Sequence, residues 1–175
     1  MLHSRQSVFR GRIIELTVDD VQLPNGNRAE LEIVHHPGGA AVVALDGHGQ
    51  VCLLHQYRHA MEEWVWELPA GKLEPGEPPA ETARRELLEE AGVQAARWDR
   101  LGDTISSPGV FSEVVHLYLA RELTHGEDAI EPQEVFERHW LPFDEAVRRA
   151  LAGDIRDGKT VIGLLRGRAL LEAGQ

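Results

Sequence analysis

The chain predicts an α/β fold, and three observations carry that prediction. Short apolar runs bounded by glycine- and proline-rich turns fill its first part. A helix pattern with an apolar side stands at its middle, and further strand and helix patterns alternate after it. A length of 175 residues suits one domain core without disulfides or a structural metal, and 42% hydrophobic with 27% charged residues is ordinary globular composition. The expected division is an amino-terminal β-hairpin region over residues 1–37 and a main domain over residues 38–175.

Val8 to Val21 reads as strand material, with Ile13, Ile14, Leu16 and Val18 among charged residues. Pro24-Asn25-Gly26-Asn27 is a hairpin turn signal, and Arg28 to His36 alternates as a returning strand. Pro37-Gly38-Gly39 breaks the chain before Ala40 to Leu45, a buried strand. Asp46-Gly47-His48-Gly49 turns back into Gln50 to Gln56, with His48 a solvated loop residue. Tyr57-Arg58 then runs towards a loop carrying Trp64 to Ala70, where Trp64 and Trp66 flank a tight turn and read as packing or subunit contacts.

Gly71, Pro75 and Gly76 break regular structure, and Pro78-Pro79 suit a first helical turn, where a missing N–H costs little. The helix runs from about Pro79 to Ala91, with Gly92 as a left-handed cap and Ala80, Ala83, Leu87 and Leu88 as its docking side. Trp98 to Ile105 and Val114 to Leu119 read as strands around the turn Ser106-Ser107-Pro108-Gly109. Leu123 to Gln133 is polar, acidic and without periodicity, so it reads as a loop before the strand Val135 to Leu141. One helix then reaches Ala152 with Gly153 as cap, and a last one covers Asp157 to Glu172.

A net charge of −11 excludes a general nucleic-acid binder, since no basic field attracts phosphate backbones. It is awkward for an anionic substrate too, unless a cation inverts the local sign. Cys52 is the only cysteine, set in an apolar run, so it reads as a small buried residue. Nothing resembles a signal peptide or a membrane span, and a cytoplasmic protein is the expectation.

The chemistry concentrates on the middle helix. Glu86, Glu89 and Glu90 stand at i, i+3 and i+4, so three carboxylates share one stripe. Two carboxylates ~5.5 Å apart repel by roughly 3 kcal/mol at an effective dielectric of 20. Arg85 offsets part of this, and a hard divalent cation such as Mg²⁺ offsets more. A solvated, salt-bridged helix face is the plain alternative for such a run. Arg58 offers a planar fork suited to phosphate oxygens, or to a surface salt bridge.

Loop and helix together resemble the signature of the Nudix hydrolase family. Its pattern is Gly, five residues, Glu, seven residues, then Arg-Glu-aliphatic-x-Glu-Glu-x-Gly-aliphatic, filled here by Gly71, Glu77, Arg85, Glu86, Leu87, Glu89, Glu90, Gly92 and Val93. The likeness to the ADP-ribose pyrophosphatase branch extends from about Val8 to Leu171, with Pro108 fifteen residues after Val93 in that branch's Ser-Pro-Gly. The resemblance implies an α/β/α sandwich with a mixed sheet and an added amino-terminal hairpin. It implies Mg²⁺, or Mn²⁺ in its place, on the Ala70 carbonyl, Glu86, Glu89 and Glu90. Arg85 joins the catalytic set, and Arg58, Glu32, Pro108 and Gly109 take the substrate side.

The general base implied is Glu134 on the loop after the strand pair, with Glu131 second, Glu127 nearby and Glu89 as the rival within the box. The implied reaction is hydrolysis of ADP-ribose to AMP and ribose 5-phosphate by a homodimer. Leu31-Glu32 replaces the branch's usual Arg-Glu, which keeps GDP-mannose, another nucleotide sugar or a dinucleotide open as substrate. A Nudix-like ligand sensor is the non-enzyme alternative, although such sensors often lack box glutamates and this chain has them all.

Overall fold

The computed structural model describes residues 1–126 and 135–174. β1 (Leu2–Arg10), β2 (Glu15–Gln22) and β3 (Arg28–His35) form an antiparallel meander in that order. The strand material expected from Val8 to Val21 belongs to two strands, parted at Gly11 to Ile14, where the Gly11 amide donates to the Ile14 carbonyl at 2.9 Å. β1 escapes a pattern search because all nine of its residues are exposed. What fixes it is cross-strand pairing: Arg5 forks onto Asp19 at 2.8 and 2.6 Å, while Ser7 and Arg10 share Glu15 at 2.7 and 2.8 Å. The meander joins the rest of the molecule at Val34, whose amide donates to the Val110 carbonyl and whose carbonyl accepts from Ser112.

β4 (Gly39–Ala44) is buried at each of its six positions. Ala40, Val42 and Ala44 enter one apolar cluster while Ala41 and Val43 enter another. This is the period-two pattern of a strand covered on both faces. β5 (Gln50–Arg58) continues it, sending Cys52 and Leu54 one way and Val51 and Leu53 the other. Burial pushes the Cys52 thiol up to about 12, so it is a packing residue.

β6 (Glu63–Glu67) corrects the expected loop around the tryptophans. It pairs with β5 in antiparallel register, His55 facing Trp66 and Tyr57 facing Trp64, and the true turn lies at Arg58 to Glu62. β7 (Ala70–Lys72) then pairs with β4, and α1 (Pro79–Ala91) ends as expected on Gly92, in the left-handed region at φ 66°. β8 (Val93–Ile105) begins directly after that cap, and β9 (Val114–His125) runs parallel to β4. Both strands are longer than their apolar runs, because mutual pairing carries the polar ends. β10 (Phe136–Pro142), α2 (Phe143–Ala152) and α3 (Gly158–Ala173) complete the chain.

Among the described residues, the order β7-β4-β9-β8 gives a mixed sheet and β10-β5-β6 a second, antiparallel one. α1 packs Ala83, Leu87 and Ala91 on one face, and α2 and α3 pack Phe143, Ala146, Val147 and Leu164 on the other. The result is the expected α/β/α sandwich. Among the described residues, no helix is long and apolar enough to cross a membrane.

Candidate active site

α1 arrives with its carboxylates set at different depths. Glu86 and Glu90 are buried at 7% and 1% exposure, while Glu89 stays partly open. The loop before the helix explains Glu86: a Cβ on Gly71 would stand 1.8 Å from Glu86 Oε1. Glycine at 71 is thus the space in which the carboxylate lies. Glu90 is held from the same loop, its Oε2 accepting the Ala70 amide at 2.7 Å. Arg138 closes the back of the helix, donating to the Glu90 carbonyl at 2.7 Å.

Arg85 organises the outer side. Its Nη1 donates to Glu86 Oε1 at 2.6 Å and Glu89 Oε2 at 3.0 Å, and its Nε reaches Glu77 Oε1 at 3.2 Å. Burial works against the guanidinium charge, yet Glu77, Glu86 and Glu89 outweigh it and raise its pKa. Glu77 is fixed in return: hydrogen bonds from Arg85 and Thr82, opposed by partial burial, hold its carboxyl down at about 2. The spacing from Glu77 to Arg85 therefore makes a brace between loop and helix.

These groups open onto a cavity of about 690 Å³. Ala70, Gly71, Arg85, Glu86 and Glu89 line it, and so does Arg58. Arg58 is not a bare fork: its Nε and Nη2 donate to both oxygens of Glu67 at 2.6 and 2.9 Å. Lys159, at the start of α3, also donates to Glu67 and lies 3.1 Å from Asp157 Oδ2. Burial alone would raise the Glu67 pKa, but the bonds from Arg58 and the Lys159 charge reverse this and leave it at about 2. Elsewhere on the wall, His36 Nδ1 lies 3.2 Å from Glu113 Oε1, and Ser106 donates to the other Glu113 oxygen.

The expected site residues divide accordingly. Ala70, Arg85, Glu86, Glu89 and Arg58 meet in the cavity. Glu90 lies behind them, on the Ala70 amide rather than on the wall. Glu32 is exposed on β3 outside the cavity lining, and so are Pro108 and Gly109, whose neighbours Ser106 and Glu113 do line it. Glu127, Glu131 and Glu134 lie outside the described residues. Lys159, Asp157 and His36 were not foreseen as wall residues, nor Glu67 as the buried carboxylate behind Arg58, and only the helix-start position of Asp157, which accepts from the Thr160 amide at 3.0 Å, left a local signal.

Among the described residues, no three histidine, cysteine, aspartate or glutamate side chains converge as a ready cation site. Arg85 Nη1 instead spans Glu86 and Glu89. The donor chemistry nevertheless fits a hard divalent ion: carboxylate oxygens from Glu86 and Glu89, a backbone loop at Ala70-Gly71, and a cradle that a side chain at residue 71 would fill.

The NUDIX domain family model matches residues 35–161. The chain belongs to the Nudix family. The methanol dehydrogenase activator of Bacillus methanolicus is 41% identical over 161 residues, covering 91% of this chain and 87% of that one. The ADP-ribose pyrophosphatases of Mycobacterium tuberculosis (strain ATCC 25618 / H37Rv) and Bacillus subtilis (strain 168) are 40% and 37% identical. They cover 93% and 92% of this chain, which spans 80% and 88% of theirs. A solved structure described as an ADP compounds hydrolase superposes with a TM-score of 0.84 at 23% identity, over 99% of this chain and 95% of that one, and shares the Nudix fold.

Proposed function

We propose that this Nudix enzyme hydrolyses the diphosphate bond of ADP-ribose, releasing AMP and ribose 5-phosphate. The observation that carries the reading is the cavity itself, where Arg58 and Arg85 stand with Glu86 and Glu89 around the Ala70-Gly71 loop. Relatives at 37% and 40% identity named ADP-ribose pyrophosphatase support the substrate. The Ala70 carbonyl, Glu86, Glu89 and Glu90 would hold Mg²⁺, or Mn²⁺ in its place, which would supply charge to offset the diphosphate and to acidify water. Arg58 takes non-bridging phosphate oxygens with the face of its fork not given to Glu67. Arg85 keeps Glu86 and Glu89 apart in charge and place, so the carboxylates do not repel one another out of position.

In-line attack needs a group that takes the proton of the incoming water, or two metals acidic enough to make that group dispensable. Glu134 fills that role in this reading, with Glu89, on the cavity wall, as the alternative. Substrate contacts by Glu32, Pro108 and Gly109 belong to the same reading. So does residence in the cytoplasm, and so does a homodimer built through residues 1–37, the latter supported by β1, exposed at all nine positions with Val8 and Phe9 at 55% and 57%.

The test is a panel of nucleoside diphosphate derivatives assayed for released phosphomonoester with Mg²⁺. ADP-ribose gives the highest kcat/KM. GDP-mannose in first place instead would fit Leu31-Glu32, which lacks the arginine the branch usually carries there. Tight binding with no turnover of any compound would mark a sensing module and defeat the enzyme reading.

A further inference from the structure

Arg58 and the start of α3 belong to one charge cluster built on a buried carboxylate. Glu67 is the hub, with its side chain 4% exposed, and it receives both nitrogens of the Arg58 fork and the Lys159 ammonium. Lys159 is itself 17% exposed and leans on Asp157 at 3.1 Å. Asp157 in turn accepts from the Thr160 amide and hydroxyl at 3.0 and 2.6 Å, and Thr160 Oγ1 accepts the Leu68 amide at 2.8 Å. The segment beginning α3 is thus strapped to the β6 end that leads into Ala70-Gly71.

Resting on the hydrolase reading above, we propose that Lys159 is a positioning residue for diphosphate binding: it holds Glu67, and through Glu67 it holds the Arg58 fork at the cavity wall. The charges explain why a second cation is needed. Arg58, Lys159, Glu67 and Asp157 are together neutral. Without Lys159 the cluster is net negative, beside a wall that sets Glu74, Glu86, Glu89 and Glu113 against only Lys72 and Arg85, which disfavours an anionic ligand. A buried carboxylate that loses one of its two cations also draws the remaining guanidinium wholly to itself, and Arg58 then has less to give a phosphate. The ammonium is a compact point charge, so the requirement is for positive charge at this place, which an arginine also supplies.

The test compares Lys159→Met, Lys159→Arg and Arg58→Lys with the wild type, and includes Arg58→Lys combined with Lys159→Met. Two readouts are taken: KM and kcat for ADP-ribose with Mg²⁺, and calorimetric binding of inorganic pyrophosphate with and without Mg²⁺. Lys159→Met weakens pyrophosphate binding and raises KM about 10- to 100-fold, the size of losing one charge-assisted contact. Its kcat stays within about threefold of the wild type, as expected for a ground-state binding loss. Lys159→Arg restores most of both, and in the Arg58→Lys background Lys159→Met adds much less than its own full effect.

Unchanged KM and pyrophosphate affinity, a fall in kcat alone, or full additivity with Arg58→Lys would each overturn the proposal. So would a wild-type chain that binds no pyrophosphate. Should Lys159→Met fail to fold, Lys159→Gln, which also removes the positive charge, takes its place with the same expected split. Lys159-dependent pyrophosphate binding without turnover of any diphosphate compound keeps this inference and defeats the hydrolase reading. Turnover with Lys159-independent binding does the reverse.

Discussion

The amino-terminal meander and the cavity use the same pair of groups, guanidinium and carboxylate, to different ends. On the meander, Arg5, Arg10 and Arg28 are 46%, 75% and 68% exposed, and each meets a single carboxylate: Asp19, Glu15 or Asp20. Arg5 with Asp19 and Arg10 with Glu15 are directly opposite in the strand register, so these contacts fix alignment more than they add stability. In the cavity, Arg85 is 32% exposed and holds three carboxylates, one of them 9% exposed, while Glu67 draws two cations at 4% exposure. Where water is excluded and partners are shared, the pairing becomes a scaffold whose loss leaves charge unanswered. The family match begins at residue 35 and leaves the meander outside it.

The strongest way to break this contrast is to intrude on the scaffold. Gly71→Ala places a methyl where Glu86 Oε1 now lies, 1.8 Å from the ideal Cβ position. Turnover is expected to fall by about 10²- to 10³-fold, the scale of losing one electrostatic group in an active site, and Glu86→Gln should match it. Circular dichroism and steady-state rates on the two variants check this, and a Gly71→Ala enzyme with wild-type kcat refutes it.

Next in size is the cation. Mg²⁺ at a hundred times its Kd stabilises the folded chain by about 2.7 kcal/mol, some 5 to 10 °C in melting midpoint for a domain of this length. Glu86→Gln and Glu90→Gln are expected to lose most of that rise, and Asp20→Asn on the meander to keep it. A wild-type melt indifferent to millimolar Mg²⁺ sinks the cation assignment.

Acid and salt sharpen the comparison further, because Glu67 and Asp19 both have pKa values lowered to about 2. For Asp19 the Arg5 hydrogen bonds lead, whereas for Glu67 two cations overcome burial. In each case the folded value lies below the unfolded one. The stability gained is therefore present above about pH 4.5 and lost as pH falls from there towards 2. Glu67→Gln and Asp19→Asn each flatten the acid limb of stability against pH. In 1 M salt, where the screening length is about 3 Å, the Asp19 contribution shrinks and the Glu67 contribution persists. Denaturant midpoints at pH 3 and pH 6, at two salt concentrations, separate them; equal salt sensitivity would erase the distinction drawn here. Smallest of all is Arg28→Ala, which should leave both rate and melting midpoint at wild-type values.

What the residues disclose in advance follows from how local the cause is. The box helix was legible because Gly71, Pro78-Pro79, the i, i+3, i+4 glutamates and Gly92 act within one loop and helix. β4 was legible because six buried small and apolar residues in a row leave no other reading. β1 was not, since a polar strand held by its neighbour has no periodicity of its own. The second cation on Glu67 was equally hidden: Lys159 and Glu67 are 92 positions apart, and no spacing rule spans that distance. Glu90 showed the opposite limit, because its place in the stripe was evident while its use on the Ala70 amide required the fold.

The buried β4 sets a clock for the whole molecule. It is bonded to β7 on one edge and β9 on the other, with apolar clusters above and below, so solvent deuterium reaches its amides only when the entire sandwich opens. Exchange at Val42 and Val43 therefore reports the global opening free energy directly, while β1, exposed along its length, exchanges through local fraying long before.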